Sequence, residues 1–238
     1  MGSERPSAPI GERHVALDVI AGVLRNAIAG RGDERMLLLR QLWIELRRFG
    51  ASNVRNIPLS RIRAIHDVQV EGPIDQPDAL VVSALAAVLE CETIFAVGAA
   101  RDTGAVLARN LPDAQIYALV PPEPEPLSAV RSHSRPPAGN ITRLAGSAKT
   151  FDLSRYSGKS DLVLIDAGDG VSDLRDETDA AFSLLSELGT IIWDNYTHSA
   201  AAYAYLNALA PALDRPVFHL LGTRLALYSR WDIVRPYD

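Results

Sequence analysis

Three residues in the second half of the chain carry oxygen donors at positions where chemistry is expected: Asp166, Asp194 and Asn195. Asp166 closes the apolar run DLVLID, and Asp194-Asn195 closes the run that begins at Thr190. Two carboxylates and an amide oxygen are hard donors. They suit Mg²⁺ or a similar divalent cation, with waters and substrate oxygens completing an octahedron. The same aspartates can instead cap the next helix or bond a loop, since short polar side chains do both. Asp169, in Ala167-Gly168-Asp169-Gly170, can serve as a general base or as a turn-forming residue. His198 follows Asp194-Asn195-Tyr196-Thr197 and, as the nearest imidazole by sequence, is a second candidate base; its plain alternative is a polar residue at a helix N-terminus. His14, His66, His133 and His219 have no metal-ligand spacing, and Cys91 reads as a packed thiol. No Gly-x-Ser-x-Gly, Walker loop or His-Glu-x-x-His is present.

The elements that must position these residues alternate. A helix is expected over 79–90, a buried strand over Thr93–Val97, a helix over Thr103–Asn110 and a strand over Gln115–Val120. A proline-dense loop, 121–140, holds six of the 15 prolines and precedes a strand at Ile141–Leu144. Then come the strand Asp161–Asp166, a helix over Ser172–Leu188, the strand Thr190–Asp194 and an Ala-rich helix over Ser199–Leu213. Two final strands, Val217–Leu221 and Arg224–Arg230, leave only Gly222-Thr223 between them, which requires an antiparallel pair. Solid apolar strands alternating with helices predict an α/β fold, a doubly wound and mostly parallel sheet of seven strands with an antiparallel last strand. Ligands then bind beyond the carboxyl ends of the strands. Gly98–Thr103, Val120, Ser147, Asp166 and Asp194-Asn195 should converge there.

Upstream, apolar residues recur at helical spacing from His14 to Ala29 and again over roughly 34–49, while 51–78 reads as irregular. Residues 1–78 are therefore expected as a tail and helical extension, and 79–238 as the α/β domain. The whole chain has 238 residues, 47% of them hydrophobic, with a formal net charge of −5. That balance argues against a broad nucleic-acid-binding surface. One cysteine excludes a disulfide scaffold and a multi-Cys zinc site. No apolar run reaches the ~18 residues of a membrane span, and Met1–Arg13 lacks a signal-peptide core. A soluble, cytoplasmic protein with a small-molecule substrate, no nucleic acid and no membrane is the expectation. Only Lys149 and Lys159 are lysines, so lysine-based catalysis has almost no candidates.

Four segments carry a resemblance: FAVGAARDTGAVLARNLPDAQIYAL (95–119), TRLAGSAKTFDLSRYSGKSDLVLIDAG (142–168), DETDAAFSLLSELGTIIWDNY (176–196) and GTRLALYSR (222–230). Over 79–230 the chain resembles the class I S-adenosylmethionine-dependent methyltransferases, in particular the macrocin O-methyltransferase-like small-molecule enzymes. The resemblance implies a Rossmann-like methyltransferase fold, with N-terminal helices that form a homodimer interface or cap the pocket, as similar extensions do in this family. It also implies a methyl donor held around Gly98, Ala99, Arg101, Thr103, Val120, Ser147 and Asp166. The catechol and caffeoyl-CoA O-methyltransferases hold a divalent ion with an Asp after the fourth strand and Asp-Asn after the fifth; Asp166, Asp194 and Asn195 match that pattern. The position of a family base three residues after the first metal Asp is Asp169 here. The chain departs from the family where acids are usual, with Ala96, Val120 and Ser147 in their places. Glu123 or Glu125 can substitute from the proline loop. Each buried ligand hydroxyl left without an acceptor costs ~1–3 kcal/mol, so two readings stand. One is a metal-assisted O-methyltransferase acting on a small hydroxylated metabolite. The other is a repurposed methyltransferase fold catalysing a cyclisation, elimination or isomerisation.

Overall fold

The computed structural model describes residues 53–73, 76–98, 101–120, 139–166 and 171–235. The expected helices upstream of residue 50, the proline loop over 121–138, Ala99 and Asp169 lie outside the described residues, as do the side chain of Arg101 and any interface formed by the N-terminal segment.

Among the described residues, twelve strands and α-helices follow in chain order: β1 (Arg55–Ile57), α1 (Pro77–Val88), β2 (Thr93–Val97), α2 (Arg101–Asn110), β3 (Gln115–Val120), β4 (Ile141–Ala145), β5 (Ser160–Asp166), α3 (Val171–Leu184), β6 (Leu185–Asp194), α4 (Ala200–Leu209), β7 (Phe218–Leu220) and β8 (Ala226–Ser229). The strands form one sheet in the order β1-β7-β8-β6-β5-β2-β3-β4. Every neighbouring pair is parallel except the two that β8 makes, with β6 and with β7. This is the doubly wound sheet with an antiparallel last strand that the alternation predicts. No helix among the described residues is long and apolar enough to cross a membrane.

The central strands are apolar on both faces because both faces are covered. Along β5, Val163 and Ile165 join Phe95, Ile191 and Trp193 in one buried cluster, while Leu162 and Leu164 join Ile94, Ile116 and Ile192 in the other. Alternate residues feed opposite layers, as the two-residue period of a strand demands. Two polar pairs bridge elements inside the core. Trp193 Nε1 donates to Thr178 Oγ1 at 3.0 Å, which pins α3 to β6, and the hydroxyls of Thr190 and Ser229 share a 2.8 Å bond between β6 and β8.

Three details differ from the sequence reading. An eighth strand exists: Arg55–Ile57 pairs in parallel with Phe218–Leu220. It is three residues long and buries only Ile57, so it offers no apolar run to detect. Residues 185–188, expected at the end of a helix, instead open β6. Leu185 pairs with Ser160, and the register shifts before Leu162 meets Thr190. Gly189 makes that shift possible. A Cβ there would sit 2.8 Å from the Ser160 carbonyl oxygen and 3.1 Å from the Ser186 nitrogen. Finally, α4 stops at Leu209 and the turn Ala210–Ala212, which holds Pro211, continues as a 3-10 helix.

Gly189→Ala therefore forces backbone apart at the start of β6. An overpacking cost of ~2 kcal/mol is expected, seen as a drop in Tm with little change in the far-ultraviolet circular dichroism spectrum.

Candidate functional site

The site is built by register. The ladder between β5 and β6 ends with Asp166 directly beside Asp194. Adjacent strands lie ~4.8 Å apart, so two carboxylates stand side by side at the carboxyl edge. Beyond Asp194 the chain turns sharply. Asn195 adopts φ +62, in the left-handed region that asparagine tolerates better than most residues. Its N–H donates to Asp194 Oδ1 at 2.6 Å, and its carbonyl accepts the N–H groups of His198 and Ser199 at 3.0 and 2.8 Å. The Ser199 hydroxyl then caps α4 by accepting from the Ala202 N–H. The turn leaves the Asn195 amide free to reach back, and its Nδ2 donates to Asp166 Oδ1 at 3.1 Å.

The antiparallel strand adds a cation. Because β8 runs against β6, the residues leading into β8 lie at the same edge where β6 ends, and Arg224 stands two residues before the strand; its carbonyl accepts from the Tyr196 N–H at 2.8 Å. Arg224 Nε donates to Asp78 Oδ2 at 2.6 Å and lies 3.8 Å from Asp194 Oδ1. Its Nη1 donates to Asn195 Oδ1 at 3.3 Å. Asp78, in the first turn of α1, is buried. Three carboxylates thus face one guanidinium.

The electrostatics follow. Burial raises the Asp166 carboxyl above its ordinary range, against the pull of Arg224 and the Asn195 amide. Burial also raises Asp194, against the Asn195 N–H and Arg224. Arg224 is raised by its bond to Asp78. Glu177, on α3, is pushed up to about 7, by burial first and then by the charges of Asp173, Asp166 and Asp176. The cluster holds more negative charge than its one cation balances. With hard oxygen donors, that excess fits a divalent ion in chemistry and in charge.

Gly98 joins the same edge from β2. It has φ +95, its N–H donates to the Leu119 carbonyl at 3.1 Å, and a Cβ on it would lie 3.2 Å from the Asp166 carbonyl oxygen. Only glycine meets both demands without strain. The other expected positions spread away from this centre. Val120 ends β3, half-buried, and its carbonyl accepts from the Gly146 N–H at 2.9 Å. Ser147 follows β4, three strands from Asp166 across the sheet, and its exposed hydroxyl bonds the Thr150 hydroxyl at 2.9 Å. Thr103 lies half-buried in the first turn of α2. His198 is exposed in the turn after Asn195, with Nδ1 at 3.0 Å from the Thr197 hydroxyl. The structure thus unites Asp166, Asp194, Asn195 and Gly98, and adds Asp78, Arg224 and Glu177. The short Gly222-Thr223 link signals an antiparallel last pair, but that β8 also pairs with β6, which brings Arg224 to this edge, is seen only in the fold.

No family model matches the chain, and no curated protein does. Among solved structures it is similar to a protein provisionally assigned as a caffeoyl-CoA O-methyltransferase from Staphylococcus aureus. The TM-score is 0.52 at 15% identity, over 81% of this chain and 98% of the other. It is also similar to cofactor-bound Rv0187 from MTB, with a TM-score of 0.51 at 16% identity, over 98% of this chain and 100% of the other. The chain has the Rossmann-like methyltransferase fold. At these identities the likeness is one of fold, and the chemistry must come from the site.

Glu177 makes stability depend on pH. Its folded value of about 7 lies above the ordinary 4.5, so the folded state holds a proton in that window that the unfolded chain has released. Stability contributed by protonated Glu177 is complete below ~4.5 and is lost as pH rises through ~7. Glu177→Gln is expected to raise Tm at pH 8 and to change it little at pH 4.5. Equal shifts at both pH values would contradict this.

Proposed function

We propose that the chain is an S-adenosylmethionine-dependent O-methyltransferase, assisted by a divalent ion such as Mg²⁺ and acting on a small hydroxylated metabolite. The observation that carries the reading is the juxtaposition of Asp166, Asp194 and Asn195 beside the left-handed Gly98 turn, at the strand edge where doubly wound sheets bind ligands.

The methyl donor would lie over the ends of β2 and β3, against Gly98, Thr103 and Val120, with Ser147 and Asp166 at its margins. It supplies an electrophilic methyl group. A divalent ion held by Asp166, Asp194 and Asn195 supplies Lewis acidity that lowers the pKa of a substrate hydroxyl. The protein's own contribution is placement. Asn195 and Arg224 hold the two carboxylates in one geometry, and aiming a nucleophilic oxygen in line at a bound methyl removes much of the entropic barrier. A base must take the hydroxyl proton. Glu177, with its carboxyl at about 7, joins the sequence candidates Asp169 and His198, because a base near the working pH is the most effective.

One set of observations favours the second reading, in which the fold catalyses a cyclisation, elimination or isomerisation. Ala96 is buried at 2% exposure and carries no acceptor, Val120 offers none, and the Ser147 hydroxyl is already engaged with Thr150. The three positions that hold the donor with acids in similar enzymes are thus without charge.

Calorimetric titration of S-adenosylmethionine and its demethylated product, with and without Mg²⁺, separates the readings. Micromolar binding supports methyl transfer. No heat of binding at millimolar donor rejects it in favour of the second reading.

A further inference from the structure

The Asn195 amide can be oriented without ambiguity from its neighbours. A guanidinium only donates, so the atom 3.3 Å from Arg224 Nη1 is Oδ1. An ionised carboxylate only accepts, so the atom 3.1 Å from Asp166 Oδ1 is Nδ2. Each neighbour enforces the same choice. The consequence is that Asn195 turns its donor side, not its oxygen, toward Asp166. To place Oδ1 and the Asp166 oxygens on one cation, the amide must turn over. Its NH₂ would then face Arg224 Nη1, donor against donor. Arg224 also lies 3.8 Å from Asp194 Oδ1, so the guanidinium already sits on two of the three groups that would hold the ion.

We infer that Arg224 is the resident counter-cation of the Asp166–Asp194–Asn195 cluster and competes with a divalent ion for it, so that this side chain sets the metal affinity of the site. The inference rests on the metal-assisted reading above. Its physical basis is a shared set of oxygens. Arg224 is held by a fork that only a guanidinium can supply, with Nε on buried Asp78 and Nη1 on Asn195. Its side chain is 43% exposed, so it has solvent to withdraw into when an ion displaces it. Withdrawal costs the Asn195 bond and the attraction to Asp194, and it strains the Asp78 bond that the same Nε makes; metal binding must supply that cost. The cluster therefore discriminates by charge density. A compact divalent ion gathers three oxygens at once, whereas a monovalent cation gains little over the guanidinium already there.

The test is Mn²⁺ titration followed by the electron paramagnetic resonance signal of the free ion, on the purified full chain. Arg224→Gln removes the charge and lets the Asn195 amide rotate; it is expected to bind Mn²⁺ at least tenfold more tightly than the wild type. Arg224→Lys keeps a charge beside Asp78 but lacks the fork, and its affinity is expected between the two. If Arg224→Gln does not fold, the lysine variant carries the comparison. Asp194→Asn should weaken binding in every background. Equal or weaker Mn²⁺ affinity in both Arg224 variants overturns the inference while leaving the metal reading intact. No Mn²⁺ binding by any protein overturns both, while donor binding remains a separate question answered by calorimetry.

Discussion

The parallel ladder between β5 and β6 places Asp166 against Asp194, and the fold cannot separate them without shifting the register of its most apolar strands. A one-residue slip would turn every inward side chain of β6 outward. Trp193, fully buried and bonded to Thr178, would be among them. Two carboxylates near ~5 Å repel by roughly 3 kcal/mol at an effective dielectric of ~20. The surroundings of the site answer that constraint. Asn195 adopts a left-handed backbone to lend its N–H to one carboxylate and its amide to the other, and Arg224 arrives on the antiparallel strand with the opposite charge. Even so, both aspartates remain shifted toward protonation. A cluster kept short of positive charge is unfavourable for folding and favourable for binding a cation.

The antiparallel β8 has a role beyond closing the sheet. A parallel strand in its place would begin at the opposite edge and could not bring a residue from its start to the carboxyl ends. The hairpin joins Arg224 to β6, and Asp78 on α1 holds the guanidinium from a distant part of the chain. Three separate segments thus meet on one side chain. Charge balance at the site is coupled in this way to the docking of α1 and of the β7–β8 hairpin.

Much of this was legible in the amino-acid order. The runs IFAV (94–97) and LVLI (162–165) are apolar throughout because their strands are covered on both faces, and that pattern announces a doubly wound sheet. Asp166, Asp194 and Asn195 stood out because polar residues directly after such runs lie at the ligand-binding edge. What was not legible has physical causes. β1 gains its order from pairing with β7, a tertiary contact that three residues cannot advertise. Residues 185–188 have helical neighbours, yet the close approach of Gly189 to Ser160 draws them into the sheet. Asp78 looks like an ordinary acid in the first turn of a helix, and only its partner, 146 residues away, makes it part of the site. Glu177 acquires its unusual carboxyl from burial first and then from Asp173, Asp166 and Asp176; Asp173 and Asp176 lie on its own helix, but the burial and the approach of Asp166 exist only in the folded chain.

The central claim is that the edge around Gly98 and Asp166 is the binding centre of an S-adenosylmethionine-dependent enzyme. Amide hydrogen exchange, measured with and without the demethylated donor, addresses it most directly. The account predicts added protection in peptides covering 95–103 and 160–166, with 53–57 and 226–229 unchanged. Uniform exchange across 95–103 and 160–166 at saturating millimolar ligand would contradict it.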